Sequence, residues 1–258
     1  MSRHRPRRLK TIALLLSTAL AATACSAATD DGASPADPEG TRAGASPTPS
    51  PAPPPPPALD AEVTPVPDEQ WERMVAVGMW RKGCPVERDQ LRRVEMNYHD
   101  FDGGVSRGAL VVNADVTESV VRIFTELFEQ RFPVRRMQSV EAYGGDLDKS
   151  LADDNTSAFN CRRPDQINAP FAESPHANGR AIDINPLENP WQDLRKKTWF
   201  PSKEFSARTP GKGKILKGGP VWQSFVDEGW IWQNIKVADY MHFDTGYPSV
   251  PFTGRKRP

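Results

Sequence analysis

The chain has no surplus of charge. Its 33 lysines and arginines equal its 33 aspartates and glutamates, so electrostatics give no ground for expecting nucleic acid as a partner. The balance is uneven along the chain. Arg3, Arg5, Arg7, Arg8 and Lys10 crowd the first 25 residues, where no acid occurs, and without them the remainder is mildly acidic. A long hydrophobic run is also lacking: residues 11–22 form an apolar stretch too short for a membrane span of ~20 residues. Cysteine is rare, with three in the chain, and histidine hardly commoner, with four. Internal repeats and a regular βαβ alternation are absent as well, which sets aside solenoids and doubly wound parallel sheets.

The basic head, the apolar run and the small residues that follow have the form of an export signal over residues 1–25. Two processing routes fit its end. Ala22-Thr23-Ala24 suits simple cleavage, which would give a secreted protein. Ala22-Thr23-Ala24-Cys25 resembles a bacterial lipobox, with Ala22 standing where Leu is usual. Lipid on Cys25 would anchor the protein on the outer face of the cell membrane. Cysteine parity fits the second route: in an oxidising compartment Cys84 and Cys161 can pair, leaving Cys25 for the lipid. Two unpaired buried thiols are the alternative. Residues 26–62, rich in Pro, Ala and Ser, are expected to be an unfolded, extended linker, because they hold too little apolar surface to bury.

Residues 63–258 are then one folded domain, large enough for a real core. Alternation predicts strands at 94–98, 109–112 and 134–140, with a turn at Gly103-Gly104. A 3.6-residue apolar period predicts a helix over 117–132, capped by Thr117 and ended by Pro133. Shorter helices are expected at 68–79 and 220–228, and closing strands at 230–232 and 240–243. Polar loops are expected over 146–160 and 185–193, and an exposed insertion over 199–219. The mixture predicts an α+β fold, a single domain with a small antiparallel sheet flanked by helices.

Two of the scarce histidines sit in motifs. Ser174-Pro175-His176-Ala177-Asn178-Gly179-Arg180-Ala181-Ile182-Asp183 holds an imidazole and a carboxylate, with Gly179 permitting the reversal that returns one to the other. Asp239-Tyr240-Met241-His242-Phe243-Asp244 supplies a second imidazole. If residues 181–184 are a strand, Asp183 faces a cleft while Ile182 and Ile184 face the core. His176, Asp183 and His242 make a three-ligand set that leaves a fourth position for water, the pattern of a catalytic rather than a structural Zn2+. His4 and His99 read as ordinary histidines.

Ser174-x-His176-x-x-Gly179-x-Ala181-x-Asp183, followed by Asp239-x-x-His242, resembles the zinc D-alanyl-D-alanine carboxypeptidase family. That family includes VanY-type carboxypeptidases and L-alanyl-D-glutamate endopeptidases, and the resemblance spans residues 143–247. It implies a fold like the zinc-binding part of hedgehog domains and stem peptides of peptidoglycan as substrate. It also implies His176, Asp183 and His242 as zinc ligands and Asp239 as general base. Arg162 matches the arginine beside the scissile carbonyl, with Arg163 an adjacent competitor. Ser174 offers a hydroxyl to a ligand carboxylate or to substrate, or else caps its loop. Tyr240 and Trp232 line the cleft or join the core. A monomer is expected. Two other readings are open: a non-catalytic zinc module that binds peptidoglycan or protein, and a structural zinc domain that recruits a reduced cysteine.

Overall fold

A short acidic turn organises the first sheet of the computed structural model. The structure describes residues 56–162, 173–193, 196–233 and 236–254. The export signal, Cys25, Arg163 and the linker up to residue 55 lie outside the described residues. Strand β1 (Glu62–Pro65) is followed by helix α1 (Asp68–Ala76), and β2 (Leu91–His99) with β3 (Val105–Asn113) forms a long hairpin. At its tip Asp100 Oδ1 accepts from the amides of Asp102 and Gly104, while Gly103 takes φ +87°. The sheet order is β1-β2-β3, antiparallel throughout.

Both faces of this sheet are covered. Val94, Met96, Leu110 and Val112 meet helix α2 (Thr117–Glu129) in the larger core, while Leu91 and Val111 face a second cluster with Met74, Met79, Phe159 and Cys161. Apolar packing begins before the expected domain start, because Leu59 is buried in the larger core. Thr117 does not cap α2. Its hydroxyl donates to Ala114 O within a preceding 3-10 turn, and Asn113 caps that turn by accepting from Asp115 N. The helix stops at Glu129, before Pro133, because Arg131 turns left-handed at φ +53°.

The polar stretch expected as loop is partly structured. Strand β4 (Arg136–Met137) replaces the longer strand expected over 134–140, and a 3-10 turn follows at Val140–Tyr143. Helix α3 (Leu147–Ala152), capped by Asp146, and β5 (Asn155–Thr156) lie where residues 146–160 were expected to be irregular. Strands β4 and β5 pair in parallel, and buried Asn155 bridges them, accepting from Gln138 N and donating to Gln138 O.

The second three-stranded sheet carries the motifs. Its members are β6 (Ala181–Asp183), β9 (Ile231–Trp232) and β10 (His242–Asp244), in the order β6-β10-β9. Between them in sequence lie the hairpin of β7 (Trp191–Asp193) and β8 (Thr198–Phe200), and helix α4 (Pro220–Asp227). As alternation requires, Ile182, Ile184 and Phe243 enter the larger core, where Phe243 stacks on Phe225. The expected exposed insertion is pinned rather than free. Asn185 and Asn189 both donate to Gly213 O, Asn189 Oδ1 accepts from Ile215 N, and Ile215 is buried. No described helix is long and apolar enough to cross a membrane.

Gly179 joins the two sheets. It takes φ +68°, and its carbonyl accepts from Asn113 N at 2.8 Å, while Asn113 Nδ2 donates to Asn178 O. An added Cβ would stand 2.6 Å from Asn113 N and 3.1 Å from Val112 C, both main-chain atoms that cannot yield. Left-handed strain and overpacking therefore act together. Gly179→Ala is expected to cost about 2–4 kcal/mol, read as a lowered midpoint in urea unfolding; an unchanged midpoint would contradict this account of the junction.

Candidate metal centre

Strands β6 and β10 run antiparallel in a register that sets His242 directly opposite Asp183. Opposed residues project to the same face, so the carboxylate and the imidazole meet without help from a loop. His176 comes from the turn before β6. That turn is closed by Asn178 N and Asn178 Nδ2 donating to Ser174 O and by Arg180 N donating to Pro175 O. Asn160 N donates to His176 O, and His176 Nδ1 donates to Ala158 O at 2.7 Å.

The three side chains are buried and converge. His176 Nε2 lies 3.1 Å from His242 Nδ1 and 3.3 Å from Asp183 Oδ2, and His242 Nδ1 lies 3.1 Å from Asp183 Oδ1. A tetrahedral ion with bonds of ~2.0–2.2 Å holds its ligand atoms roughly 3.3–3.6 Å apart, close to these separations. The chemistry of the donors also fits. Ala158 O can only accept, so the proton of His176 sits on Nδ1 and its Nε2 lone pair faces inward. His242 Nε2 is engaged at 2.9 Å by Asp244 Oδ2, which directs Nδ1 inward as well. Two inward nitrogens and a carboxylate need a proton or a cation between them. Carbonyl and carboxylate partners on the outer nitrogens are how metal-ligating imidazoles are oriented.

The electrostatics agree. Burial alone would raise the Asp183 carboxyl, but attraction to His176 and hydrogen bonding with both imidazoles, when these carry the protons that a cation would replace, hold it well below the usual carboxylate range. Burial disfavours a charged His242, yet hydrogen bonds to Asp183 and Asp244 raise it well above an ordinary imidazole. A cation entering this set would displace that proton.

Asp239 lies just before β10, where its main chain bridges to Trp191 of β7. Its carboxyl is pushed up to about 7, first by burial and then by Asp183 and Asp244, against the pull of His242 and Arg162. The Arg162 guanidinium is held below its usual value by burial, offset by attraction to Asp183 and Asp239. Its Nε is buried with no hydrogen-bond partner among the described residues. Ser174 contributes its carbonyl to the turn around His176. Tyr240, the residue after Asp239, is stacked on Trp199 at 5.8 Å with the Arg208 guanidinium 4.3 Å over its ring, and Trp232 donates to its carbonyl. Cys84 and Cys161 form a disulfide, so neither is available as a metal ligand.

Asp244 belongs to the cluster although the motifs assign it no role. It lies two positions after His242 in a strand, so the period of two puts both side chains on one face. That alternation was the available signal. Arg180 is a second such residue: its guanidinium grips Asp115 through Nε and Nη2, at 2.7 Å for the shortest contact, and fixes the chain between His176 and Asp183.

A family model described as D-alanyl-D-alanine carboxypeptidase matches residues 168–245. The match supports the resemblance carried by the motifs, and it covers His176, Asp183, Asp239 and His242. Arg162 and both disulfide cysteines fall outside it. No curated protein and no solved structure was found to match the chain.

Two outcomes follow from this geometry. Asp244→Asn should weaken zinc binding by roughly ten- to hundredfold through loss of the ionic partner of His242, measured by competition with a chromogenic chelator; undiminished affinity would remove Asp244 from the centre. In the metal-free protein Asp239 should titrate near 7, and added zinc should move it down, because a nearby dication favours the carboxylate. Carbon-13 NMR of labelled aspartates follows both, and an upward move on adding zinc would contradict the placement.

Proposed function

We propose that this chain is a zinc peptidase that hydrolyses a peptide bond in the stem peptides of peptidoglycan. The observation that carries this reading is the convergence of His176, Asp183 and His242 with Asp239 beside them, inside the segment that matches the carboxypeptidase family. His176 Nε2, His242 Nδ1 and the Asp183 carboxylate would hold the ion. When bound, zinc supplies Lewis acidity, making a water acidic at neutral pH and polarising a carbonyl.

The remaining chemistry belongs to the chain. Asp239, a carboxylate once a dication is bound beside it, takes a proton from the attacking water and returns it to the leaving amine nitrogen, the work of a positioned general base and acid. Arg162 offers a guanidinium to the oxygen that gains negative charge in the tetrahedral intermediate. Ala158 O and Asp244 keep both imidazoles in the required orientation. A non-catalytic zinc module would have no use for an acid at position 239. A structural zinc domain would want a fourth protein ligand, and the disulfide withdraws the cysteines that might have served.

The family description favours removal of a terminal D-alanine, whereas the resemblance, in which the base is Glu in many carboxypeptidase members and Asp in endopeptidase-like ones, leans through Asp239 toward cleavage within the stem. The Cys84–Cys161 disulfide supports an oxidising, extracytoplasmic setting. We place the domain outside the membrane, held by lipid on Cys25 and a proline-rich tether.

Zinc-loaded protein incubated with defined muropeptides and followed by mass spectrometry tests the proposal. Loss of terminal alanine identifies a carboxypeptidase, a cut inside the stem identifies an endopeptidase, and no cleavage with zinc bound refutes the enzyme. Asp239→Asn should retain zinc and lose turnover by roughly 10²–10⁴-fold. Near-normal turnover of that variant would remove Asp239 from the role of base.

A further inference from the structure

Arg162 reaches the centre through a backbone conformation that its own sequence does not favour. It takes φ +62°, a left-handed geometry that a side-chain-bearing residue rarely adopts. Such strain persists where surrounding contacts over-determine it, and it gathers at functional sites. One local contact helps: Arg162 N donates to Asn160 Oδ1 at 2.7 Å. The others come from a segment some eighty residues earlier. Cys161 N donates to Met79 O at 3.1 Å, Arg81 Nε donates to Arg162 O at 3.3 Å, and the Cys84–Cys161 disulfide joins the residue just before Arg162.

This earlier segment is itself fixed. Met79 N and Trp80 N both donate to Met74 O at the end of α1, Trp80 Nε1 donates to Val86 O, and Trp80 packs on Trp71 of the same helix at 4.8 Å. Met74, Met79, Val86 and Cys161 are buried in one cluster. Residues 79–84 therefore form a strap, rooted in α1, that grips residues 161 and 162 at three points. On the other side of that grip Asn160 N, two residues before Arg162, donates to His176 O at 3.1 Å, which ties the turn to the metal cluster, and the guanidinium of Arg162 is drawn toward Asp183 and Asp239.

We infer that the strap of Met79, Arg81 and Cys84, locked by the disulfide to Cys161, is a positioning device that holds Arg162 in the active site. The inference rests on the proposed peptidase, in which Arg162 faces the developing oxyanion. It adds that a covalent link outside the family-matched segment sets that residue's placement. A positioning role has a signature that simple stabilisation lacks: cutting the strap lowers kcat only while Arg162 is present.

The test is a double-mutant cycle on the zinc-loaded chain, pairing Cys84→Ala/Cys161→Ala with Arg162→Ala. In the parent, opening the strap should lower kcat roughly ten- to hundredfold, the scale expected of an ångström-sized misplacement, with KM and bound zinc unchanged. With Arg162→Ala already made, the same change should alter kcat by no more than about twofold, because groups acting through one another are not additive. Equal losses in both backgrounds, or no loss in the parent, would overturn the inference. Arg81→Gln, which keeps the disulfide, repeats the cycle if the double alanine variant does not fold. Phenylglyoxal labelling of Arg162, read by peptide mass spectrometry, decides the matter without turnover. Faster labelling in the strap variants is expected, and equal rates would overturn the strap even where the parent cleaves no peptide and the peptidase reading itself has failed.

Discussion

The arrangement depends on one cross-strand pair. Asp183 and His242 stand opposite each other in β6 and β10, so a two-strand ladder delivers a carboxylate and an imidazole to one point with no loop entropy between them. His176 is the costlier ligand. It must be returned to the same point by a turn, and much of the neighbouring structure serves that return. Gly179 reverses the chain and meets the end of β3 backbone to backbone, Arg180 is clamped by Asp115, and Ala158 O fixes the ring. Three buried polar groups in mutual contact are tolerable only when each has a defined partner. Here the partners outside the triad leave the inward atoms free to converge on a cation.

The motif residues were legible because their chemistry and their period coincide. In residues 181–184, isoleucines alternate with Ala181 and Asp183, so the core face and the site face separate on inspection, and the structure buries Ile182 and Ile184 in the larger core. The amphipathic helix over α2 was legible for a similar reason. What escaped was polar residues doing backbone work. Asn155, Asn185 and Asn189 are almost fully buried and supply hydrogen bonds to main-chain groups, yet in sequence they read as loop. Periodicity has no means of distinguishing an asparagine in solvent from one that replaces a ladder partner. Arg162 was harder still, because its placement is set by a left-handed turn and by contacts from residues 79–84.

This division has a consequence for how the domain is built. The family-matched segment, residues 168–245, contains the donors and Asp239, but not the surfaces that hold them. Asn113 at the end of β3 receives Gly179, Phe159 N donates to Val111 O, and residues 79–84 grip the turn at Arg162. The first sheet, covered on both faces, is thus the rigid wall against which a small second sheet is assembled. Precision in a site is greatest where its side chains lie on strands and their supports are buried. His242 and Asp183 meet that condition directly, and His176 and Arg162 meet it through these supports.

The charges make the same point in another form. Asp183, Asp239 and Asp244 crowd the centre, and Arg162 is the one permanent cation among the groups that act on Asp239. With all three acids ionised and both imidazoles neutral, the set carries two surplus negative charges in a poorly solvated place. Two remedies exist. Protons can occupy the set: hydrogen bonds to Asp183 and Asp244 favour one on His242, and burial favours one on Asp239. A divalent cation can occupy it instead, neutralising the surplus in one step and releasing Asp239 to act as a carboxylate. The two remedies exclude each other, so metal affinity and the readiness of Asp239 to accept a proton are coupled, and both fall as the centre fills with protons in acid. The charge that would hold a cation is thus the same charge that sets the protonation of Asp239.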